Sequence, residues 1–301
     1  LVAYVTFLAL FVLVTADRVN GLVAVDRLAT VAITVGAVTL LTPLLSLVGY
    51  VIYRGLPTLR LDFFLEDQRG VTATMPATAG GGQHAIVGTL QQVGLALVMT
   101  VPLSLATAVF LNETRSRLRR PVRIFVDAMS GLPSIVAGLF IYAVLILPYA
   151  RSSDLFDFNG FMASLALSMI MLPTVTRTIE VVLRLVPDGL REASLALGAS
   201  RARTVWSVVL PTARSGMTTA IVLGIARAVG ETAPLLFTAF GYDLYNANPF
   251  ETQQESLPLF VFKNARQPNK AQIDRGFAGA LVLLIVVLSL FAIARFVGRD
   301  R

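Results

Sequence analysis

Six apolar stretches recur along this 301-residue chain, near residues 28–53, 85–111, 122–149, 161–182, 212–240 and 276–297, each long enough to cross a bilayer. A spanning helix needs roughly 20 apolar residues at about 1.5 Å rise per residue. In hydrocarbon every backbone N–H must find a partner within its own segment, which selects helices or closed barrels. A barrel requires alternation of apolar and polar residues, which these stretches lack. With 55% hydrophobic and 14% charged residues, the chain reads as an all-α integral membrane protein with a six-helix core.

Residues 1–16 are also apolar but short for a full crossing. They are expected to form an additional tilted transmembrane helix or an interfacial one. A signal peptide is disfavoured, since no basic region precedes them and no cleavage site follows. The expected division is 1–27 as an N-terminal apolar segment and 28–301 as the transmembrane domain, with a polar connector at 184–211.

Arginine placement sets the expected orientation, because short cytoplasmic loops retain Lys and Arg. Arg115, Arg117, Arg119, Arg120 and Arg123 precede the third span; Arg184, Arg191, Arg201 and Arg203 follow the fourth; Arg295, Arg299 and Arg301 end the chain. All fall on one side of a six-span arrangement, so the 184–211 connector and the C-terminus are assigned to the cytoplasm. The opposite loops, 54–84 and 241–275, are longer and charge-balanced. The net charge of +7 is accounted for by this bias and gives no reason to invoke nucleic acid.

Cysteine is absent and histidine occurs once, at His84, which removes thiol chemistry and most His-based catalysis. No catalytic residue, metal ligand or cofactor site is expected in this chain, and His84 reads as an interfacial loop residue. Gly80–Gly82 do not make a P-loop, which ends in Gly-Lys-Ser/Thr, since the only lysines are Lys263 and Lys270. A membrane phosphatase or lipid hydrolase would need a nucleophile beside a base, and no His lies within a span.

The connector 184–211 is a polar island between apolar runs. Pro187 and Asp188 stop the fourth span, Asp188 is placed to cap a short helix, and Gly198 to end it in the left-handed conformation. Leu190, Ala193 and Leu197 share one face of that helix, Arg191 and Glu192 project elsewhere, and Ser200 caps the next helix. Such a helix suits a groove on a soluble partner, or equally the lipid surface.

Glu192-Ala193-Ser194, Gly198 after three more residues, and Val208 and Leu210-Pro211 beyond resemble the EAA loop of ABC importer permeases, EAA-x3-G-x9-I-x-LP. Ser replaces the third residue and Val the Ile. In that family the loop is a coupling helix seated on an ATP-hydrolysing subunit, which implies that ATP and Mg bind a partner and that Glu192, Ala193, Ser194, Leu197 and Gly198 make the contact. The run from Ala226 to Ala239, ARAVGETAPLLFTA, and the run from Ser130 to Phe140, SGLPSIVAGLF, are similar to the PstA family of phosphate-specific type I importer permeases. The resemblance implies a non-catalytic permease in the bacterial cytoplasmic membrane. It also implies a paralogous PstC-like permease subunit, a dimer of PstB-like ATPase subunits and an extracytoplasmic PstS-like phosphate-binding protein.

Two charged sets lie in the spans. Arg227 and Glu231, four residues apart in the fifth, are expected on one helix face about 40° apart. Burying them costs at least a few kcal/mol per group. They form either a self-neutralising pair that fixes packing or a site where Arg227 meets a crossing anion. In the second case Glu231 accepts the P–OH proton that phosphate carries and sulfate lacks. Arg177, Glu180 and Arg184 share a face near the end of the fourth span; the resemblance supports an inner gate pairing with the other subunit, while a solvated helix end is the alternative. An ATP-independent anion channel or secondary transporter could use Arg227 in the same way without an EAA loop, and a permease for another oxyanion would share both features.

Overall fold

The computed structural model describes residues 21–149 and 153–297, together with positions 6, 7, 10 and 14. The expected N-terminal segment 1–16 therefore lies outside the described residues apart from those four positions. The chain divides into two compact units, Leu1–Tyr53 and Arg54–Arg301. In the first, helix α1 (Gly21–Gly55, whose last two residues belong to the second unit) is exposed along its apolar length, with Leu40, Leu44 and Leu47 bare. Five helices among the described residues are long and apolar enough to cross a membrane, and a bent pair supplies a sixth.

The second unit continues with α2 (Asp62–Leu65), α3 (Gln83–Glu113), α4 (Arg119–Ser130) and α5 (Ser134–Ile141). It then runs through α6 (Gly160–Arg184), α7 (Asp188–Ala196), α8 (Arg201–Val229), α9 (Ala233–Leu236), α10 (Leu257–Ala265) and α11 (Lys270–Val297). Helix α6 is the centre. It packs against α3, α4, α5 and α8, and buries Leu167, Met171, Val175, Ile179 and Leu183 along its length. Small residues let the neighbours close in: Ala96 and Ala108 on α3 and Ala220 on α8 are fully buried.

The expected single span at 122–149 is instead two helices, α4 and the run starting at α5, bent by 105°. Pro133 disfavours the helical conformation of Leu132 before it and is itself extended (ψ 138°), so α4 ends at Gly131 and α5 starts afresh. The span expected at 212–240 begins earlier, at Arg201, and stops at Val229; Gly230 ends it and Pro234 opens the separate α9. Within α8, residues Val205–Val209 form a π turn just before Pro211, which has no N–H to give the regular ladder.

The stretch 241–275, read as a loop, holds α10 and a buried polar seam. Gln92 Nε2 donates to Gln254 Oε1 and to the Glu255 carbonyl, both at 3.2 Å, and the Leu257 N–H donates to Thr89 Oγ1 at 2.8 Å. A β-carbon at Gly88 would lie 2.0 Å from the Glu255 carbonyl oxygen, so only glycine lets α3 meet this segment. Within the second unit, Arg54 forms an ion pair with Asp274 on α11, 2.5 Å.

Candidate functional site

Midway along α6, Thr174 faces the last turn of α8, and Arg227 Nη1 donates to its hydroxyl at 3.3 Å. Glu231 is not on the same helix as Arg227, contrary to expectation. Because α8 ends at Val229, Glu231 sits in the turn beyond, its N–H bonded to the Ala228 carbonyl. Its Oε1 stands 3.9 Å from Arg227 Nε, an ion pair by charge but beyond hydrogen-bond reach. Of five guanidinium N–H donors, then, one is engaged among the described residues, and with a neutral acceptor. The Arg227 side chain is 41% exposed in this single chain.

Arg177 and Glu180 are a different kind of site. Glu180, 2% exposed, accepts from Arg123 Nη2 (2.6 Å) and Arg184 Nη2 (2.5 Å) at Oε1, and from Arg177 Nη1 (2.7 Å) at Oε2. Arg177 also pairs with Asp127 on α4. Asn112 Nδ2 donates to the Glu180 carbonyl at 2.9 Å, adding α3. Sequence spacing finds Arg177 and Arg184 from α6 itself but not Arg123 and Asp127, which the bend at Pro133 brings in with α4.

The polar island forms α7, nine residues. Pro187, not Asp188, holds the N-cap position, and Asp188 instead places its carboxylate in the first turn, where the helix dipole favours it. The helix closes on Gly198 (φ 83°): the Gly198 N–H donates to the Leu195 carbonyl and the Ala199 N–H to the Ser194 carbonyl, the paired bonds of a Schellman motif. Ser200 caps α8 through the Arg203 N–H. Ser194 Oγ lies 2.9 Å from Thr204 Oγ1, which clamps α7 to α8. Arg191 anchors the turn, donating to the carbonyls of Val186 (2.6 Å) and Leu183 (2.8 Å) and to Glu113 (3.1 Å). That structural role was not readable from its position. Leu190, Glu192, Ala193 and Leu197 are exposed, Leu197 at 89%. A rigid helix thus presents bare leucines at the arginine-rich end of the bundle.

His84, expected in an interfacial loop, lies in the first turn of α3, 2% exposed and edge-on to Phe260. One of its nitrogens and carboxylate oxygens of Asp243 and Glu255 lie within 4.8 Å of one another, a grouping that could hold a cation. Lys263 already supplies the charge: its ammonium donates to Glu255 (2.6 Å) and to Asp243 (3.2 Å). Burial pushes Glu255 up to about 7 despite Lys263. Burial also works against the Lys263 charge, but the two carboxylates outweigh it and hold its pKa above the usual value. The cluster pins the 239–256 segment to α3 and α10.

Residues 100–300 match the family described as "Binding-protein-dependent transport system inner membrane component". The chain is 40% identical over 281 residues to "Phosphate transport system permease protein PstA 1" of Mycobacterium tuberculosis (strain CDC 1551 / Oshkosh), covering 92% of this chain and 90% of that protein. It is 33% identical over 246 residues to "Phosphate transport system permease protein PstA" of Pasteurella multocida (strain Pm70), covering 81% and 84%. Among solved structures, a permease chain of a bacterial alginate ABC transporter bound to its periplasmic protein superposes with a TM-score of 0.58 at 17% identity, covering 90% of this chain and 93% of that one. That likeness shows the fold. The chain is a multi-pass membrane protein and belongs to the PstA family of phosphate ABC importer permeases.

Proposed function

We propose that this chain is one permease half of an ATP-driven importer of inorganic phosphate. The observation that carries the reading is Arg227: a permanent cation inside a spanning bundle, engaged by one neutral hydrogen bond and separated from its nearest carboxylate by 3.9 Å. A cation kept only for packing would close on Glu231, because an unpaired charge in hydrocarbon is costly. One left open presents a fork of donors to an oxyanion. Glu231 discriminates: it accepts a hydrogen bond from the P–OH of phosphate, repels sulfate, and re-neutralises Arg227 once the anion leaves.

The chain itself performs no covalent chemistry and holds no cofactor. ATP and Mg are bound by a dimer of PstB-like ATPase subunits, in whose cleft α7 seats through Glu192, Ala193, Ser194, Leu197 and Gly198. A PstC-like permease completes the pathway, and a PstS-like binding protein delivers phosphate at the 54–84 and 241–275 end. The arginine-rich end and the C-terminus are cytoplasmic, following the arginine bias. The Arg177–Glu180 network closes the inner end of the pathway. Coupling works because the closed ATPase dimer favours the outward-open permease through its contacts with α7.

The test is ATP-dependent uptake of labelled phosphate into vesicles holding the assembled complex, comparing wild type with Arg227→Ala and following ATP hydrolysis in parallel. Loss of uptake with assembly and hydrolysis intact is expected. Normal uptake by the variant would make Arg227 a packing charge and remove the reading's support.

A further inference from the structure

Many threonines on these helices treat their hydroxyls in one way, although Thr100 and Thr176 are buried with no partner among the described residues. Thr107, Thr178, Thr212 and Thr218 each donate to the carbonyl four residues earlier, the default for a hydroxyl on a helix in apolar surroundings. Thr174 departs from it. Its oxygen is turned toward α8, where it accepts from Arg227 Nη1, and its own proton has no acceptor among the described residues. The side chain is half-buried, midway along a span, on the face of α6 that also carries Arg177 one turn later.

We propose that Thr174 is a direct ligand of the crossing anion, donating its hydroxyl proton to a phosphate oxygen that Arg227 holds by charge. The inference rests on the reading that Arg227 lies on the anion's path. The chemistry fits a tetrahedral oxyanion with several acceptor oxygens: Arg227 Nη1 and the Thr174 hydroxyl lie 3.3 Å apart, within reach of one such anion, and Glu231, 3.9 Å from Arg227 Nε, would accept the P–OH. A hydroxyl also suits a site that must release its ligand. It contributes a hydrogen bond without a second fixed positive charge, and conduction requires sites weak enough to leave. Thr174 then offers the anion a step along α6 toward Arg177, three residues and about 4.5 Å further.

The experiment is uptake of labelled phosphate by the reconstituted complex at saturating loaded binding protein, comparing wild type, Thr174→Val, Thr174→Ser and Arg227→Ala. Val keeps the shape and removes the hydroxyl; Ser keeps the hydroxyl. A hydrogen bond to a charged group of about 1.5–3 kcal/mol corresponds to roughly a 10-fold to 100-fold loss. Thr174→Val is therefore expected to lower the maximal rate at least about 10-fold. The half-saturating concentration of loaded binding protein stays unchanged, since docking occurs elsewhere, and Thr174→Ser restores most of the rate. Wild-type rates in Thr174→Val beside a dead Arg227→Ala would overturn the Thr174 inference alone. Wild-type rates in Arg227→Ala would overturn the reading beneath it. Equal defects in the Val and Ser variants with assembly intact would make Thr174 a packing residue and overturn the inference. So would failure of both Thr174→Val and Thr174→Ala to assemble while Thr174→Ser assembles, which would assign the hydroxyl to folding.

Discussion

Glu180→Gln tests whether the arginine cluster at the inner end of α6 is held by one carboxylate. Glu180 is 2% exposed and receives three guanidinium hydrogen bonds, two at one oxygen and one at the other. A carboxamide has a single acceptor oxygen. Turned toward Arg123 and Arg184 it keeps two bonds, now without the anionic charge, and aims an N–H2 at the Arg177 donor. Charge-assisted hydrogen bonds contribute about 1.5–3 kcal/mol each, and the partners' exposures of 37%, 30% and 55% draw the sum toward the low end. The expected loss is about 2–4 kcal/mol. Arg184→Gln removes the bond to Glu180 and a 3.3 Å bond to Asn112 Oδ1 at a side chain 55% exposed, expected to cost about 1 kcal/mol or less. At about 2–4 °C per kcal/mol, the thermal midpoint of the detergent-purified complex falls by about 5–10 °C for Glu180→Gln and by about 3 °C or less for Arg184→Gln. An Arg184→Gln complex as destabilised as Glu180→Gln would refute the reasoning. So would an unmoved midpoint in Glu180→Gln with uptake lost, which would make the carboxylate a transport group and not a structural one.

Three further outcomes are expected. Gly88→Ala drives a methyl into the Glu255 carbonyl, 2.0 Å away, so α3 must shift at a cost of about 1–3 kcal/mol, seen as a lower midpoint in the same assay. Glu255 is raised to about 7 from 4.5, so the stability it contributes is fully present below about pH 4.5 and is lost as pH rises through 7. The change is on the order of 3 kcal/mol, and the midpoint of Glu255→Gln is expected to be flat where wild type declines between pH 5 and 8. Leu197→Asp puts a charge on the bare leucine that caps the C-terminal end of α7 and is expected to abolish co-purification of the ATPase subunits while the permease remains folded, as judged by a single symmetric gel-filtration peak.

The spans were legible because about 20 consecutive apolar residues leave few alternatives, and α7 was legible because its Pro, Gly and Ser punctuate at fixed offsets. The Pro133 bend was written in the sequence as Gly-Leu-Pro, yet the surrounding residues are apolar on both sides, so composition averaged over the break. The same averaging carried the fifth span past Gly230 and put Glu231 on a helix it does not join. Arg177 and Arg184 announced themselves by i,i+3 and i,i+4 spacing from Glu180; Arg123 lies 57 residues away from Glu180 and could be placed only by folding. Thr174 had no signal at all, since nothing in an apolar helix sets one threonine apart, and only the hydrogen bond from Arg227 marks it out. His84 failed in the opposite direction: a lone histidine after three glycines reads as loop, but the glycines let the chain start α3 within a packed end.

Arg177 and Arg227 are the same residue type in neighbouring helices, and their hydrogen bonds separate their roles. Arg177 is bound to two carboxylates, one of them almost fully buried, so freeing it would leave Glu180 short of a donor and Asp127 unpaired. Discounted for the 30% exposure of Arg177, its charge-assisted bond to Glu180 still contributes about 1.5–3 kcal/mol, so Arg177 is held more firmly than Arg227. Arg227 gives up only a 3.3 Å bond to a neutral hydroxyl, worth about 1 kcal/mol, when an anion takes its place. A transported ligand must be bound and released many times, so it needs the cation whose alternative partners are weak. That criterion favours Arg227, Thr174 and Glu231 as the proposed exchange site, with the Arg123–Arg177–Glu180–Arg184 cluster as the proposed closed inner end beside it.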